Sequence, residues 1–221
     1  LTVWIIYTAD HLLDAKRVEG VATTRRHHFH QQYFSVLSLC LLLALASNIV
    51  LLFFIREQVL IGGLFLICGV SMYLLLHTYL KVPKEVLISI LYTCGVLLPS
   101  FMVTPVIWQE LPYWLIAQFT LSALVNLLVF SWFDYERDRQ DGFKSLATVW
   151  GRTNTARFIY TAAFINSALF FVSEDRTASG VLVAMTVIHL LILYRADFFG
   201  KDDRFRLLGD ASFMLPLLYL L

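Results

Sequence analysis

Four aspartates in two pairs carry the clearest chemical signal in this sequence. Asp10 and Asp14 stand four residues apart, as do Asp134 and Asp138. On a helix that spacing puts both carboxylates of a pair on one face. A Mg²⁺ ion takes oxygen ligands octahedrally, keeps several waters, and is usually held by one or two carboxylates together with substrate phosphates. Two Asp pairs facing each other across a helix bundle could each hold an ion, with a diphosphate bridging between them. Asp141 adds a further carboxylate beside the second pair. Lys144 and Arg137 share its segment, and Lys81 and Lys84 form an earlier basic one; these cations suit the remaining phosphate oxygens and a leaving group that gains charge. The plainer reading makes all of them interfacial anchors and solvated loop charges. A matched recurrence of the spacing favours the site over the anchors.

The elements that must position these residues read as membrane helices. Of 221 residues, 59% are hydrophobic and only 15% charged, well below the quarter expected of soluble domains. Mean hydropathy is +0.72. Apolar runs approaching the roughly 20 residues of a spanning helix recur at about 33–55, 59–80, 86–103, 112–133, 155–172, 179–194 and 205–221. Residues 1–7 read as the tail of a further helix, and the chain is expected to lack one or more N-terminal helices. The predicted fold class is all-α: a polytopic transmembrane bundle of seven full helices plus a partial N-terminal one, in a single domain over 1–221. Asp10 and Asp14 end the partial helix, and Asp134 and Asp138 end the run 112–133. Two long loops, 15–32 and 134–154, follow the acid pairs, and long loops in compact domains tend to be functional.

Charge distribution orients the bundle. Lys16, Arg17, Arg25 and Arg26 share the first loop, and Lys81 and Lys84 the third. Arg137, Arg139, Lys144 and Arg152 lie in the fifth, and Arg195, Lys201, Arg204 and Arg206 in the seventh. Only Arg56 and Arg176 occupy the loops between. The positive-inside rule then makes the odd-numbered loops, and both acid pairs, cytoplasmic. The expected location is a bacterial inner (plasma) membrane, spanned several times, with no nucleic-acid partner.

Other features carry less chemistry. Cys40, Cys68 and Cys94 lie inside apolar runs without paired spacing and read as packing residues. Arg25-Arg26-His27-His28-Phe29-His30 lacks the separated His clusters of membrane di-iron enzymes and reads as a basic interfacial segment, while His77 and His189 read as packing or cavity residues. Asn126 inside an apolar run predicts a hydrogen bond to another helix or to a cavity. Pro99, Pro105 and Pro112 predict a kink and a turn on the outer side. No Walker loop, nucleophile elbow or dinucleotide fingerprint is present.

Asp134-x3-Asp138-x3-Gly142-x-Lys144-Ser145-x-Ala147, closing with Gly151, resembles the second aspartate motif of the UbiA superfamily of intramembrane prenyltransferases, which follows that family's sixth helix. With one helix missing, 112–133 is the sixth. The family's first motif is typically Asn-x3-Asp-x3-Asp. Asp10 and Asp14 match its acids, but Ile6 occupies the Asn position, and Thr23-Thr24-Arg25-Arg26-His27 replaces the usual Arg-Thr-x2-Arg-Pro. Tyr79-Leu80-Lys81-Val82-Pro83-Lys84-Glu85 resembles the family's basic loop between helices four and five.

The resemblance implies a nine-helix bundle around a central cavity and Mg²⁺-dependent transfer of an isoprenyl group from its diphosphate to an aromatic or lipid acceptor. It implies that Asp10, Asp14, Asp134 and Asp138 hold the metal, with Asp141 as a further ligand, and that Lys144, Arg137 and Lys81 bind phosphate oxygens. Ionisation would leave an allylic carbocation, attacked by an acceptor that then loses a proton, in a chamber that excludes water. An alkyl group at Ile6 cannot ligate metal, so the first half-site would draw on Tyr7, Thr8 or His11. The alternative is a non-catalytic UbiA-like membrane protein that binds or transports lipid.

Overall fold

Apolar sequence without β-forming alternation must satisfy its backbone within each segment, and the chain does so with helices. The structure is a computed structural model; it describes residues 1–17, 25–76, 83–104 and 108–220. The helices are α1 (Thr2–Arg17), α2 (Arg25–Gln32), α3 (Phe34–Leu52), α4 (Glu57–Leu76), α5 (Lys84–Val103) and α6 (Tyr113–Gln140), then α7 (Leu146–Trp150), α8 (Arg152–Leu169), α9 (Arg176–Tyr194), α10 (Ala196–Phe199) and α11 (Arg204–Ser212). No strand occurs among the described residues. The expected all-α class holds, and the protein is an integral membrane protein.

The helix inventory differs from the seven expected spans. Among the described residues, α3, α5, α6 and α9 are long and apolar enough to cross a bilayer, and α4 is apolar over Glu57–Tyr73. The run at 155–172 is a helix, α8, but Arg152, Asn154, Arg157 and Asn166 dilute its hydropathy. The run at 205–221 is not one helix. α11 ends at Ser212, and a 3₁₀ segment, Leu215–Leu220, takes over at Pro216, whose ring and missing N–H oppose an α-helical continuation. Helices also invade both long loops. α1 continues past Asp14 to Arg17, α2 fills 25–32, and α6 carries Asp134 and Asp138 in its last two turns, the helix end expected for the pair, and runs on to Gln140.

The helix contacts fall into two sets. α1 packs against α2 and α3, and the Asn48 amide donates to Thr2 Oγ1 at 2.9 Å, joining the far end of α3 to the start of α1. In the second set α4 packs on α5, α5 on α6, and α6 on α8, α9 and α11. α6 is the hub, with Val125, Leu128 and Val129 fully buried against Leu146, Ile159, Ile192 and Phe205.

Polar side chains fix the register of that hub. Gln118 Nε2 donates to Asn166 O at 3.0 Å, and Asn166 Nδ2 returns a bond to Gln118 O at 3.0 Å. The same amide reaches Ser122 Oγ (2.9 Å) and Thr186 Oγ1 (3.0 Å), and Ser179 donates to Gln118 Oε1 at 2.8 Å. One layer further along, His189 bridges Met185 O (2.8 Å) and the Asn126 side chain (2.9 Å). Pairing of 118 with 166 and of Trp132 with Arg152 makes α8 antiparallel to α6, and pairing of 118 with 179 and of 126 with 189 makes α9 parallel to it. Asn126 thus makes the interhelical bond its position predicts.

α11 approaches α6 where there is no room for a side chain. A Cβ on Gly209 would lie 2.7 Å from Asn126 Oδ1 and 2.7 Å from Phe130 Cε1. Gly209→Ala is therefore expected to push α11 off α6 and to destabilise the protein by about 1–3 kcal/mol, the usual cost of overpacking. Thermal unfolding in detergent, compared with an Ala substitution at exposed Leu207, measures the loss.

Candidate functional site

The segment from Asp134 to Gly151 owes its residue pattern to local geometry. α6 ends on Asp141, whose N–H bonds Arg137 O at 2.9 Å. Gly142 follows at φ +75°, and Phe143 N–H closes back on Asp138 O at 2.8 Å. This is a left-handed C-terminal cap, which a Cβ would strain. Ser145 then caps α7: its hydroxyl accepts from Thr148 N–H at 3.4 Å, while Thr148 Oγ1 accepts from Ser145 N–H at 2.8 Å. Ala147 is fully buried. Gly151, at φ +81° and ψ 156°, ends α7 and starts α8 in a conformation open in practice to glycine alone.

Two other helices hold the start of α7. Glu85, in the first turn of α5 and 4% exposed, accepts Leu146 N–H on Oε1 at 2.7 Å. Ser131 Oγ on α6 accepts Ala147 N–H at 3.2 Å. Both amides belong to a helix start, where no intrahelical acceptor exists. Glu85 Oε2 is buried and makes no hydrogen bond among the described residues.

Asp134 is the buried acid of the site, 6% exposed. Its Oδ2 is ion-paired with Arg206 of α11. Arg137 lies 3.8 Å from Oδ1 and gives its strong contact to Asp203 instead, at 2.7 Å. Oδ1 makes no hydrogen bond among the described residues. Arg206 also spans the faces of Phe130 (5.1 Å) and Phe205 (5.0 Å), and Phe205 stacks on Phe133 at 4.4 Å. Asp203 reaches Arg137 from a turn in which Asp202 and Asp203 both adopt left-handed φ, 55° and 56°. Behind this ion pair a cavity of about 300 Å³ is lined by Trp132, Arg137, Arg152, Asp197 and Asp203, with the Arg152 guanidinium 3.9 Å above the Trp132 ring.

The remaining expected residues are distributed as follows. Asp138 and Asp141 are half-buried at the end of α6, Lys144 is exposed in the turn before α7, and Lys84 is half-buried at the start of α5. Asp10 is exposed on α1; Asp14 lies in the same helix, with its side chain outside the description. Ile6 is exposed, Thr8 and His11 are buried, and the His11 ring meets Tyr7 at 4.1 Å and His30 at 5.2 Å. Lys81, His77, Tyr79, Thr23, Thr24 and Pro105 lie outside the described residues. Among the described residues, no three His, Cys, Asp or Glu side chains are grouped to hold an ion. The structure therefore brings Asp134 together with Arg206, Arg137 and Asp203, and α1 together with α2 and α3.

As a metal or anion site the α6 end offers one suitable donor set: a nearly buried carboxylate with one oxygen that lacks a hydrogen bond among the described residues, a second Asp one turn on, and guanidinium groups for anionic oxygens. Arg206, Asp203, Glu85 and Ser131 were not singled out as site residues by sequence. Nothing marks Arg206 among its basic neighbours, and Glu85 and Ser131 act on amides some 61 and 16 residues away.

Glu85→Ala leaves Leu146 N–H without its acceptor and is expected to destabilise the α7 start by about 1–3 kcal/mol, whereas Glu85→Gln keeps an acceptor oxygen and most of the stability. Amide exchange at Leu146, faster in the Ala variant and near wild type in the Gln variant, checks this. Gly151→Ala is expected to cost about 1–3 kcal/mol through backbone strain alone, since no atom lies within 4 Å of the added carbon; a lowered unfolding temperature is the readout.

Comparison with curated proteins and with solved structures gives no match. The sequence profile described as the UbiA prenyltransferase family matches residues 9–208. That span includes Asp10, Asp14 and the whole α6–α7 segment, and it covers most of the chain. By its sequence, and with a helical membrane fold to carry it, the chain belongs to the UbiA prenyltransferase family.

Proposed function

We propose that this protein is a Mg²⁺-dependent intramembrane prenyltransferase that moves an isoprenyl group from its diphosphate to an aromatic or lipid acceptor. In this reading the chain works as one domain in a plasma membrane, with the ends of α1 and α6 meeting at the cytoplasmic surface. The observation that carries it is Asp134, a carboxylate buried at the end of a membrane-length helix, whose enclosed Oδ1 has no hydrogen-bond partner among the described residues. A buried charge is retained only where something compensates it.

Asp134 and Asp138 would hold one ion, with Asp141 as an outer ligand, and Asp10 and Asp14 the other. Bound there, Mg²⁺ would neutralise charge that develops on the departing diphosphate. Lys144, exposed beside the motif, and Lys84, at the start of α5, would take phosphate oxygens, together with Lys81. Arg137 would serve first as the partner of Asp203 and so fix the side of α6 next to Asp134. Glu85 and Ser131 would keep the Lys144–Ala147 segment in place. The apolar bundle around α6 would exclude water from the reacting allylic carbon.

One observation favours the second reading, a non-catalytic lipid-binding or transporting relative. Ile6 stands exposed at a position where the family's first motif has a ligand, and alkyl carbon offers no donor. The two readings separate on binding of a prenyl diphosphate. In the enzyme, binding requires Mg²⁺ and falls about 100-fold or more in Asp134→Asn and equally in Asp10→Asn, with release of pyrophosphate lost in both. Mg²⁺-independent binding that survives both substitutions would reject the enzyme.

A further inference from the structure

We propose that Arg206 is a switchable partner of Asp134: it holds the carboxylate while no cation is bound, and it binds the diphosphate of the prenyl donor once a cation takes Asp134. The inference rests on the prenyl-transfer reading and adds a residue and a handover to it. Asp134's side chain is 9% exposed, so the ion cannot stand without a counter-charge. Arg206 provides one at Oδ2, while Oδ1 is enclosed, lacks a hydrogen-bond partner among the described residues and has Arg137 no nearer than 3.8 Å. A divalent cation entering at Oδ1 repels the guanidinium and weakens that pair.

Arg206 is free to leave in a way Arg137 is not. Arg137 is tethered to Asp203 at 2.7 Å. Among the described residues Arg206's charged partner is Asp134, and its side chain is 23% exposed. The faces of Phe130 and Phe205 lie 5.1 and 5.0 Å from its guanidinium carbon and favour the cation whether or not it touches Asp134. The base of the side chain cannot drift, because Phe205 is stacked on Phe133 and Gly209 sits against Asn126. A short swing of a planar fork, rather than a helix movement, is then sufficient. That fork matches phosphate oxygens two at a time.

The proposal predicts two opposite effects in one variant, which a merely structural role does not produce. In the full chain in detergent, Mn²⁺ binding without any anion is followed by electron paramagnetic resonance. Binding of inorganic pyrophosphate at saturating Mg²⁺ is followed by calorimetry. Arg206→Gln frees Asp134, so Mn²⁺ alone binds about 5-fold tighter; it also removes a charged donor, so pyrophosphate binds about 10-fold weaker. Mn²⁺ affinity that is unchanged or reduced, or pyrophosphate affinity that is unchanged, overturns the proposal. If Arg206→Gln fails to fold, Arg206→Lys decides: it keeps the charge but lacks the fork, so pyrophosphate binding falls several-fold, and wild-type binding overturns the proposal. A wild-type protein that binds no pyrophosphate with Mg²⁺ refutes the prenyl-donor reading itself and the handover with it, an outcome distinct from wild-type binding that the variants leave unaltered.

Discussion

Everything described at the site depends on α6 being held in one register among apolar neighbours. In a bilayer the hydrophobic effect does not press helices together, so packing and interhelical hydrogen bonds must do so. The Gln118–Asn166 exchange ties α6 to α8, while Ser122, Thr186 and Ser179 extend the tie to α9. Each such bond contributes only about 0.6 kcal/mol on average in membrane proteins. Their value here is directional, because an amide that misses its partner is left stranded in hydrocarbon. One residue of slip along α6 would break the network and turn Asp134 by about 100° away from Arg206.

Where α6 emerges from that lock, the governing physics changes from hydrogen bonding to charge. Asp134, Arg206, Arg137 and Asp203 form a short alternating chain from α6 to the turn before α11. Acids and bases alternate, so each of these four charges has an opposite neighbour. The left-handed turn at Asp202 and Asp203 is the backbone cost of reaching back to Arg137. α11 therefore meets α6 in two ways: through the Gly209 contact and the Phe205–Phe133 stack below, and through ion pairs above.

Much of this was legible in the sequence, and the reasons are specific. The Asp134–Gly151 pattern could be read because its residue types answer local demands: Gly142 and Gly151 adopt positive φ, Ser145 caps, and Ala147 is fully enclosed. The run 112–133 announced α6, and Asn126 announced an interhelical bond. Helix ends were misread because hydropathy falls before helicity does. Asp134–Gln140 is polar yet remains helical, since arginines in the last turn suit the helix dipole and Gly142 terminates it. The run at 205–221 misled for the converse reason, its composition being apolar while Pro216 prevents a continuous helix. Arg206 and Glu85 were illegible because their partners are distant in the chain.

The clasp at the start of α7 gives the motif a mechanical character. Neighbouring amides, those of Leu146 and Ala147, are gripped by side chains rooted in different helices, Glu85 in α5 and Ser131 in α6. The segment is thus a rivet through two plates rather than a loop lying on one. Sliding either plate shears the rivet, so ligand traffic that flexes the α5–α6 seam would be felt at Lys144, two residues upstream. Conversely, whatever Lys144 grasps would stiffen the seam.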